Sequence, residues 1–345
     1  MIELKSGTKI GSGEKPFIIA EVGSCWESWE HCKDAINLAK NCGADAVKFQ
    51  YFTPKDLYGI SSFPFQSGVS PYLHHGWLEG LKQKADAAGI ELMCSAFSVE
   101  GVKLVDKFVN IHKLASSENN HLRMLEALRD TGKPVIVSNG GTSDYDLSLA
   151  ICVLNGLDYK SATIKPLIEQ YLPIPNERAI PLHCVSDYPA RSVDLTKIRG
   201  LIERYGIAGY SDHTTDVLNI PSLAVANGAC VIEKHVNFFD VKCDDSPHSL
   251  SREEFRQMCS KLKGLHYSES GQKEMTLKHK RRLIATKDIS VGDKFIEGEN
   301  FGIYRSTVDD AEGMHPFNVG RLNSKTASVD IKEGQAIKLS DFNKD

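Results

Sequence analysis

The chain has 345 residues, of which 41% are hydrophobic, with a net charge of −4. That is enough for one large barrel with a smaller module, or for two medium domains. The charge is small for this length, and the nearest approach to a basic block is Lys278-His279-Lys280-Arg281-Arg282, which argues against nucleic acid as a partner. No stretch reaches eighteen uninterrupted apolar residues and Met1–Lys5 has no apolar signal core, so neither a membrane span nor a leader is expected. The nine cysteines are scattered without a C-x-x-C pair, as expected of buried thiols in a reducing cytoplasm.

In chain order, Met1–Gly13 reads as a small hairpin capping the floor of a barrel. A short apolar run followed by an amphipathic segment then repeats. The runs are Phe17–Val22, Ala46–Gln50, Glu91–Ser95, Ile111–Ala115, Val135–Ser138, Ala179–Cys184, Ile207–Ser211 and Cys230–His235. Between them lie helical patterns such as Trp29–Asn41, Leu73–Ala88, Asn119–Thr131, Asp144–Leu154, Asp194–Tyr205 and Asp216–Asn227. Gly43, Gly89 and Gly228 each close a helical pattern and precede a strand, as C-terminal caps do. Alternation of strand and helix argues for a parallel sheet, and eight repeats within residues 1–266 argue for a closed (β/α)₈ TIM barrel. Asn155–Glu177, with three prolines, reads as an excursion carrying a short helix. Residues 267–280 are polar and read as a linker. Residues 281–345, with turn signals at Ser290-Val291-Gly292-Asp293 and Lys332-Glu333-Gly334, read as a compact β-rich module.

In such a barrel the active site forms at the C-terminal ends of the strands, and every strand here ends in polar residues. In order these are Glu21; Lys48 and Gln50; Ser95; Lys113, Ser116 and Glu118; Ser138 and Asn139; His183, Ser186 and Tyr188; Ser211, Asp212 and His213; and Glu233, Lys234 and His235. His213 and His235 end adjacent strands, where two imidazoles converging on one divalent ion would leave positions open for a substrate oxygen. Lys48 and Lys113 either hold a phosphate or carboxylate as point charges, or one is a Schiff-base nucleophile, or they form structural ion pairs with Glu21 or Glu118. The serines add neutral donors suited to an anionic ligand such as a phosphorylated acid.

These segments resemble the sialic acid synthases, including their legionaminic and pseudaminic acid relatives, over nearly the whole chain. The resemblance rests on Ile19–Gly23, Gly43–Gln50, Lys113–Glu118, Lys133–Ser138, Leu182–Pro189, Gly209–Thr214 and Glu233–His235, and the segment from Arg281 is similar to that family's antifreeze-like (SAF) domain. It implies condensation of phosphoenolpyruvate with the open-chain aldehyde of a 2-acylamino hexose, giving a nine-carbon 2-keto acid and phosphate. His213 and His235 would hold Mn²⁺ or Mg²⁺, which polarises the aldehyde. Lys48, Lys113, Ser95, Ser116, Ser138, Ser186 and Ser211 would surround the phosphate and carboxylate. Glu118 would position phosphoenolpyruvate, Gln50 and Tyr188 would contact the sugar, and Glu21 and Glu233 would orient water, metal or hydroxyls. The family also implies a homodimer in which each SAF domain caps the partner's barrel, with Arg305 reaching the partner's sugar.

The sequence departs from the family pattern at Cys25-Trp26, where Asn-His is usual, and at Ser246-Pro247-His248-Ser249, where Gly-Pro-Asp-His is usual. The sugar-binding aspartate is therefore displaced, with Asp244 or Asp245 as the substitute, and Ser186 replaces a common Asn. These changes gather around the sugar, so the donor is expected to be phosphoenolpyruvate and the acceptor other than plain N-acetylmannosamine. Two rivals are a Schiff-base aldolase using Lys113 or Lys234 and a degenerate paralogue that binds without turnover.

Overall fold

The structure is a computed structural model and describes residues 1–59, 73–265, 281–305 and 313–342. The expected linker at 267–280 lies outside the described residues. The chain divides into two compact units, Met1–His266 and Tyr267–Asp345.

The first unit opens with a two-stranded antiparallel hairpin, β1 (Ile2–Glu3) and β2 (Lys9–Ile10). Eight parallel strands follow and close into a barrel: β3 (Phe17–Glu21), β4 (Ala46–Tyr51), β5 (Glu91–Ala96), β6 (His112–Leu114), β7 (Val135–Ser138), β8 (Ala179–Cys184), β9 (Gly209–Asp212) and β10 (Val231–His235), with β10 paired to β3. Each falls within about two residues of its apolar run. The helices following these strands in turn are α1 (Trp29–Cys42), α3 (Leu78–Ala88), α4 (Val99–Val105), α5 (Leu122–Asp130), α6 (Asp144–Leu154), α8 (Lys197–Tyr205), α9 (Asn219–Ala226) and α10 (Arg252–Lys263). Short helices α2 (Pro54–Tyr58) and α7 (Lys165–Glu169) interrupt two connections, α7 being the expected excursion.

Local chemistry explains these boundaries. The Ser28 side chain accepts the His31 N–H at the start of α1, Gly43 ends it with φ 99°, and Cys32, Ala35, Ile36, Ala39 and Cys42 form its buried stripe. A capping box of Ser251 and Glu254 starts α10, whose Phe255, Met258, Cys259 and Leu262 are buried.

Period-two alternation along the strands separates two cores. Phe17, Ile19, Ala46, Met93, Ile111, Ile136, Ile180, Leu182 and Val231 fill the barrel interior, with Ile2, Leu4 and Ile10 of the hairpin packed among them. The hairpin thus packs against the inner core of the barrel. Ile18, Ala20, Val47, Phe49, Leu92, Leu114, Val135, Val137, Tyr210 and Ile232 belong instead to the layer shared with the helices.

The second unit contains the antiparallel pair β11 (Arg281–Ala285) and β12 (Phe301–Arg305) and a 3₁₀ segment, Pro316–Leu322. Isolated bridges such as Ile289 with Ile331 and Ala327 with Phe342 supply further β pairing. Leu283, Ile289, Phe295, Phe301, Leu322 and Ile337 lie in its core.

Candidate active site

The inner core prescribes the site. One step of the pleat beyond Ile19, Ala46, Met93, Ile111, Ile136, Leu182, Gly209 and Val231 stand Glu21, Lys48, Ser95, Lys113, Ser138, Cys184, Ser211 and Glu233, all buried. Lys48 Nζ lies 2.7 Å from Glu21 Oε2 and 3.7 Å from Glu233 Oε2, and it donates to Ser95 Oγ at 3.2 Å. Lys113 Nζ lies 3.7 Å from Glu233 Oε1. Ser211 donates to Glu233 at 2.9 Å, and Gln50 Nε2 donates to Glu21 at 2.9 Å. Ser138 Oγ is buried with no hydrogen-bond partner among the described residues.

These groups perturb one another. Burial pushes Glu21 up against the pull of Lys48. Burial would also raise Glu233, but Lys113, Lys48 and the Ser211 hydroxyl outweigh it and hold the carboxyl at about 2. Burial lowers Lys113, while the two carboxylates more than restore Lys48. Two carboxyls pushed in opposite directions beside two buried ammoniums form an environment suited to an anionic ligand and to proton handling.

Around this centre, Ser116 Oγ accepts the Gly140 N–H at 2.8 Å. A Cβ on Gly140 would fall 2.4 Å from Ser186 Oγ, 2.9 Å from Cys184 Sγ and 3.1 Å from Ser116 Oγ, so the backbone must be bare there for these side chains to meet. Ser186 itself is exposed. Glu118 is half-buried and accepts from the Ser117 hydroxyl at 2.9 Å. Arg305 is exposed at the end of β12 in the second unit.

On the other side of the rim, His213 and His235 meet with ring centroids 5.6 Å apart. His213 Nδ1 sits 2.7 Å from the Val185 carbonyl, which fixes the N–H there and leaves Nε2 its lone pair, the usual second partner of a ligating imidazole. Tyr188 covers the His213 ring at 4.2 Å. Burial lowers His213 to about 4 and His235 to about 3, so both are neutral and able to ligate at neutral pH. His235, Asp245 and His248 also form a cluster whose potential ligand atoms all lie within 4.8 Å of one another. The buried His235 Nδ1 and both ring nitrogens of His248 lack partners among the described residues, so the donor set fits a divalent ion.

Three strand-end residues do not belong to the rim. Lys234 faces outward, 2.8 Å from Asp212 Oδ2, with both side chains fully buried. His183 also faces outward, its ring 5.8 Å from that of Tyr210. Alternation within each strand turns every second polar residue away from the barrel interior, so Lys234 is ruled out as an interior Schiff-base lysine.

Four contributors escaped sequence reasoning: His248, Ser24, Gly23 and Cys184. Ser24 fixes Asp245 Oδ2 through its N–H and its hydroxyl, both at 2.7 Å. Gly23 has φ +53°, and a Cβ there would lie 2.4 Å from Asp245 Oδ2. The departure at 246–249 was the available signal for His248. The two departing segments also touch: Cys25 Sγ is 2.9 Å from Cys243 Sγ and 3.6 Å from Ser249 Oγ.

A (β/α)₈ barrel with ionisable side chains converging at the C-terminal ends of its strands defines the class of protein. The NeuB family profile matches residues 35–274, and the chain belongs to that family. Pseudaminic acid synthase of Campylobacter jejuni subsp. jejuni is 31% identical over 360 residues, covering 95% of this chain and 97% of that protein. N,N'-diacetyllegionaminic acid synthase of the same organism is 27% identical over 357 residues, covering 94% and 99%. The structure of N-acetylneuraminic acid (sialic acid) synthetase from Leptospira borgpetersenii, in complex with citrate, matches with a TM-score of 0.66 at 27% identity, covering 80% of this chain and 95% of that one.

Proposed function

We propose that this chain condenses phosphoenolpyruvate with the open-chain aldehyde of a 2-acylamino hexose, yielding a nine-carbon 2-keto acid and inorganic phosphate. The observation that carries this reading is the pair of interior lysines, Lys48 and Lys113, set among serine hydroxyls directly beside a cluster of neutral histidines. Lys48, Lys113, Ser95, Ser116, Ser138, Ser186 and Ser211 bind the phosphate and carboxylate of the donor, and Glu118 holds its reacting end. Gln50, Tyr188 and Asp245 face the sugar. His213 and His235 would hold a divalent ion, Mn²⁺ or Mg²⁺, which when bound would supply Lewis acidity at the aldehyde oxygen. C3 of the donor forms the new bond to the aldehyde carbon; water then adds at C2, and the C2–O bond to phosphate breaks. Glu21, with its raised pKa, and Glu233, ionised, orient the water and relay its proton.

The acceptor side differs from that expected for plain N-acetylmannosamine. The two departing segments are in contact, the buried Cys25 thiol lying 3.6 Å from Ser249 Oγ. Nine free cysteines suit work in a reducing cytoplasm, and no helix of the described residues is long and apolar enough to cross a membrane. We further infer a homodimer in which the SAF-like unit caps the partner's barrel and brings Arg305 to its sugar. Phosphate release measured with phosphoenolpyruvate and a panel of 2-acylamino and diacylamino hexoses tests the reading. Turnover is expected to be best with an acceptor other than N-acetylmannosamine. Preference for N-acetylmannosamine would sink the acceptor assignment, and no release with any acceptor would sink the synthase itself.

A further inference from the structure

Unpartnered nitrogens on two buried imidazoles need an explanation, because a buried polar atom left unsatisfied is destabilising. His248 is 2% exposed, and neither ring nitrogen has a partner among the described residues; His235 Nδ1 is in the same state. The carboxylate of Asp245 stands between them, with Oδ1 3.5 Å from His248 Nε2 and 3.9 Å from His235 Nδ1. Those separations are too long for good hydrogen bonds, yet they leave room for an ion at the shared centre. Asp245 is held in place from its far side: Ser24 grips its other oxygen twice, and Gly23 offers no Cβ to obstruct it. The two rings meet edge to face at 4.5 Å, so their edges converge instead of stacking.

We infer that His235, Asp245 and His248 form a three-residue seat for a transition-metal ion, in which His248 and Asp245 are ligands and not merely sugar contacts. This deepens the metal dependence of the proposed synthase, and His213 borders the same seat with its ring centroid 6.2 Å from that of His248. This seat would add Asp245 and His248 to the ion proposed at His213 and His235; imidazoles with one carboxylate still leave positions open for substrate oxygen and favour ions such as Mn²⁺, Fe²⁺ or Co²⁺ over Mg²⁺, which prefers all-oxygen shells. The chain's departure at 246–249 thereby gains a chemical meaning, since it introduces an imidazole where the family usually presents another residue.

Metal binding read without substrate separates this inference from the catalytic one. The full-length, metal-free protein is titrated with Mn²⁺, free ion being followed by electron paramagnetic resonance, and loaded in parallel with Co²⁺ for visible absorption. One ion per chain is expected. His248→Ala and Asp245→Asn should each weaken Mn²⁺ binding about 10- to 100-fold, and His248→Ala should alter the Co²⁺ spectrum. A hundredfold excess of Mg²⁺ should fail to displace Mn²⁺. Circular dichroism checks folding, and His248→Gln, closer in volume, is read if the alanine variant does not fold. Unchanged affinity and an unchanged Co²⁺ spectrum in the His248 variants would overturn the seat, as would no Mn²⁺ binding by the parent protein. Tight Mn²⁺ binding without phosphate release would leave the seat standing and remove only the synthase reading.

Discussion

A thiol reacts through its thiolate, and surroundings divide the nine cysteines sharply. Burial pushes Cys32 and Cys230 up to about 12 and Cys152 and Cys184 up to about 11. Cys25, Cys42, Cys94 and Cys259 are raised as well. Cys243 alone moves down, to about 6, held there by the Cys25 hydrogen bond and the Ser246 and Ser24 hydroxyls, and it is partly exposed. At pH 7, iodoacetamide should therefore alkylate Cys243 first, as mapped by peptide mass spectrometry. Cys243→Ser should slow total labelling several-fold, and earlier labelling at any of the other eight would contradict this assignment.

At the scale of elements, strand positions were legible because apolar runs and helical stripes have different periods. The barrel came from that difference. What the sequence could not disclose was phase. Glu233, Lys234 and His235 are consecutive polar residues, and only their apolar predecessors decide which face inward. Counting in twos from Val231 selects Glu233 and His235 and rejects Lys234. His248 was hidden for another reason: it sits in a short 3₁₀ turn, Ser246–His248, after β10, where no strand or helix periodicity applies, and the rings it meets, those of His235, His213 and Tyr188, come from other segments. The Lys234–Asp212 pair joins β10 to β9 outside the barrel. Lys234→Met would strand Asp212 in a fully buried position and should cost about 3–5 kcal/mol in urea unfolding. Borohydride reduction with pyruvate should label no lysine in the parent protein. A labelled Lys113 would favour the aldolase rival, whereas a labelled Lys234 would contradict its placement.

At the scale of the molecule, histidines buried in the neutral form make stability fall on the acid side. His112 and His183 are both lowered mainly by burial; Asp106 opposes this at His112 while Lys133 and Arg178 reinforce it, and Lys197 and Asp194 face His183. Unfolded, each would bind a proton near pH 6.5. Below that the unfolded chain binds more protons than the folded one, so stability is present above pH 6.5 and is lost as pH falls toward the folded values, by up to about 1.4 kcal/mol per pH unit per histidine. Thermal midpoints should be level from pH 8 to 7 and decline below 6.5, and a His112→Gln/His183→Gln variant should decline less steeply. A level midpoint down to pH 5 would contradict the neutral buried state. The proposed exchange of SAF-like units gives a second test at this scale. Mixing inactive Lys113→Ala and Arg305→Ala chains under conditions of subunit exchange should restore part of the activity, because some barrels would then meet an intact Arg305 from the partner. No recovery despite verified exchange would argue for a site made within one chain.

The pleat that threads apolar residues and charged residues onto the same inner face has an evolutionary corollary. A single-residue insertion or deletion within a barrel strand would exchange Glu233 for Lys234, or Ser211 for Asp212, and bring outward-facing residues into the inner core. On the proposed function, such a change would disturb catalysis and folding together. The loops carrying Cys25-Trp26 and residues 243–249 touch each other, and the second carries Asp245 and His248 of the inferred ion seat. On the proposed function, a change in either segment reaches the other and the inferred ion seat, while the donor-binding residues stay on the barrel wall.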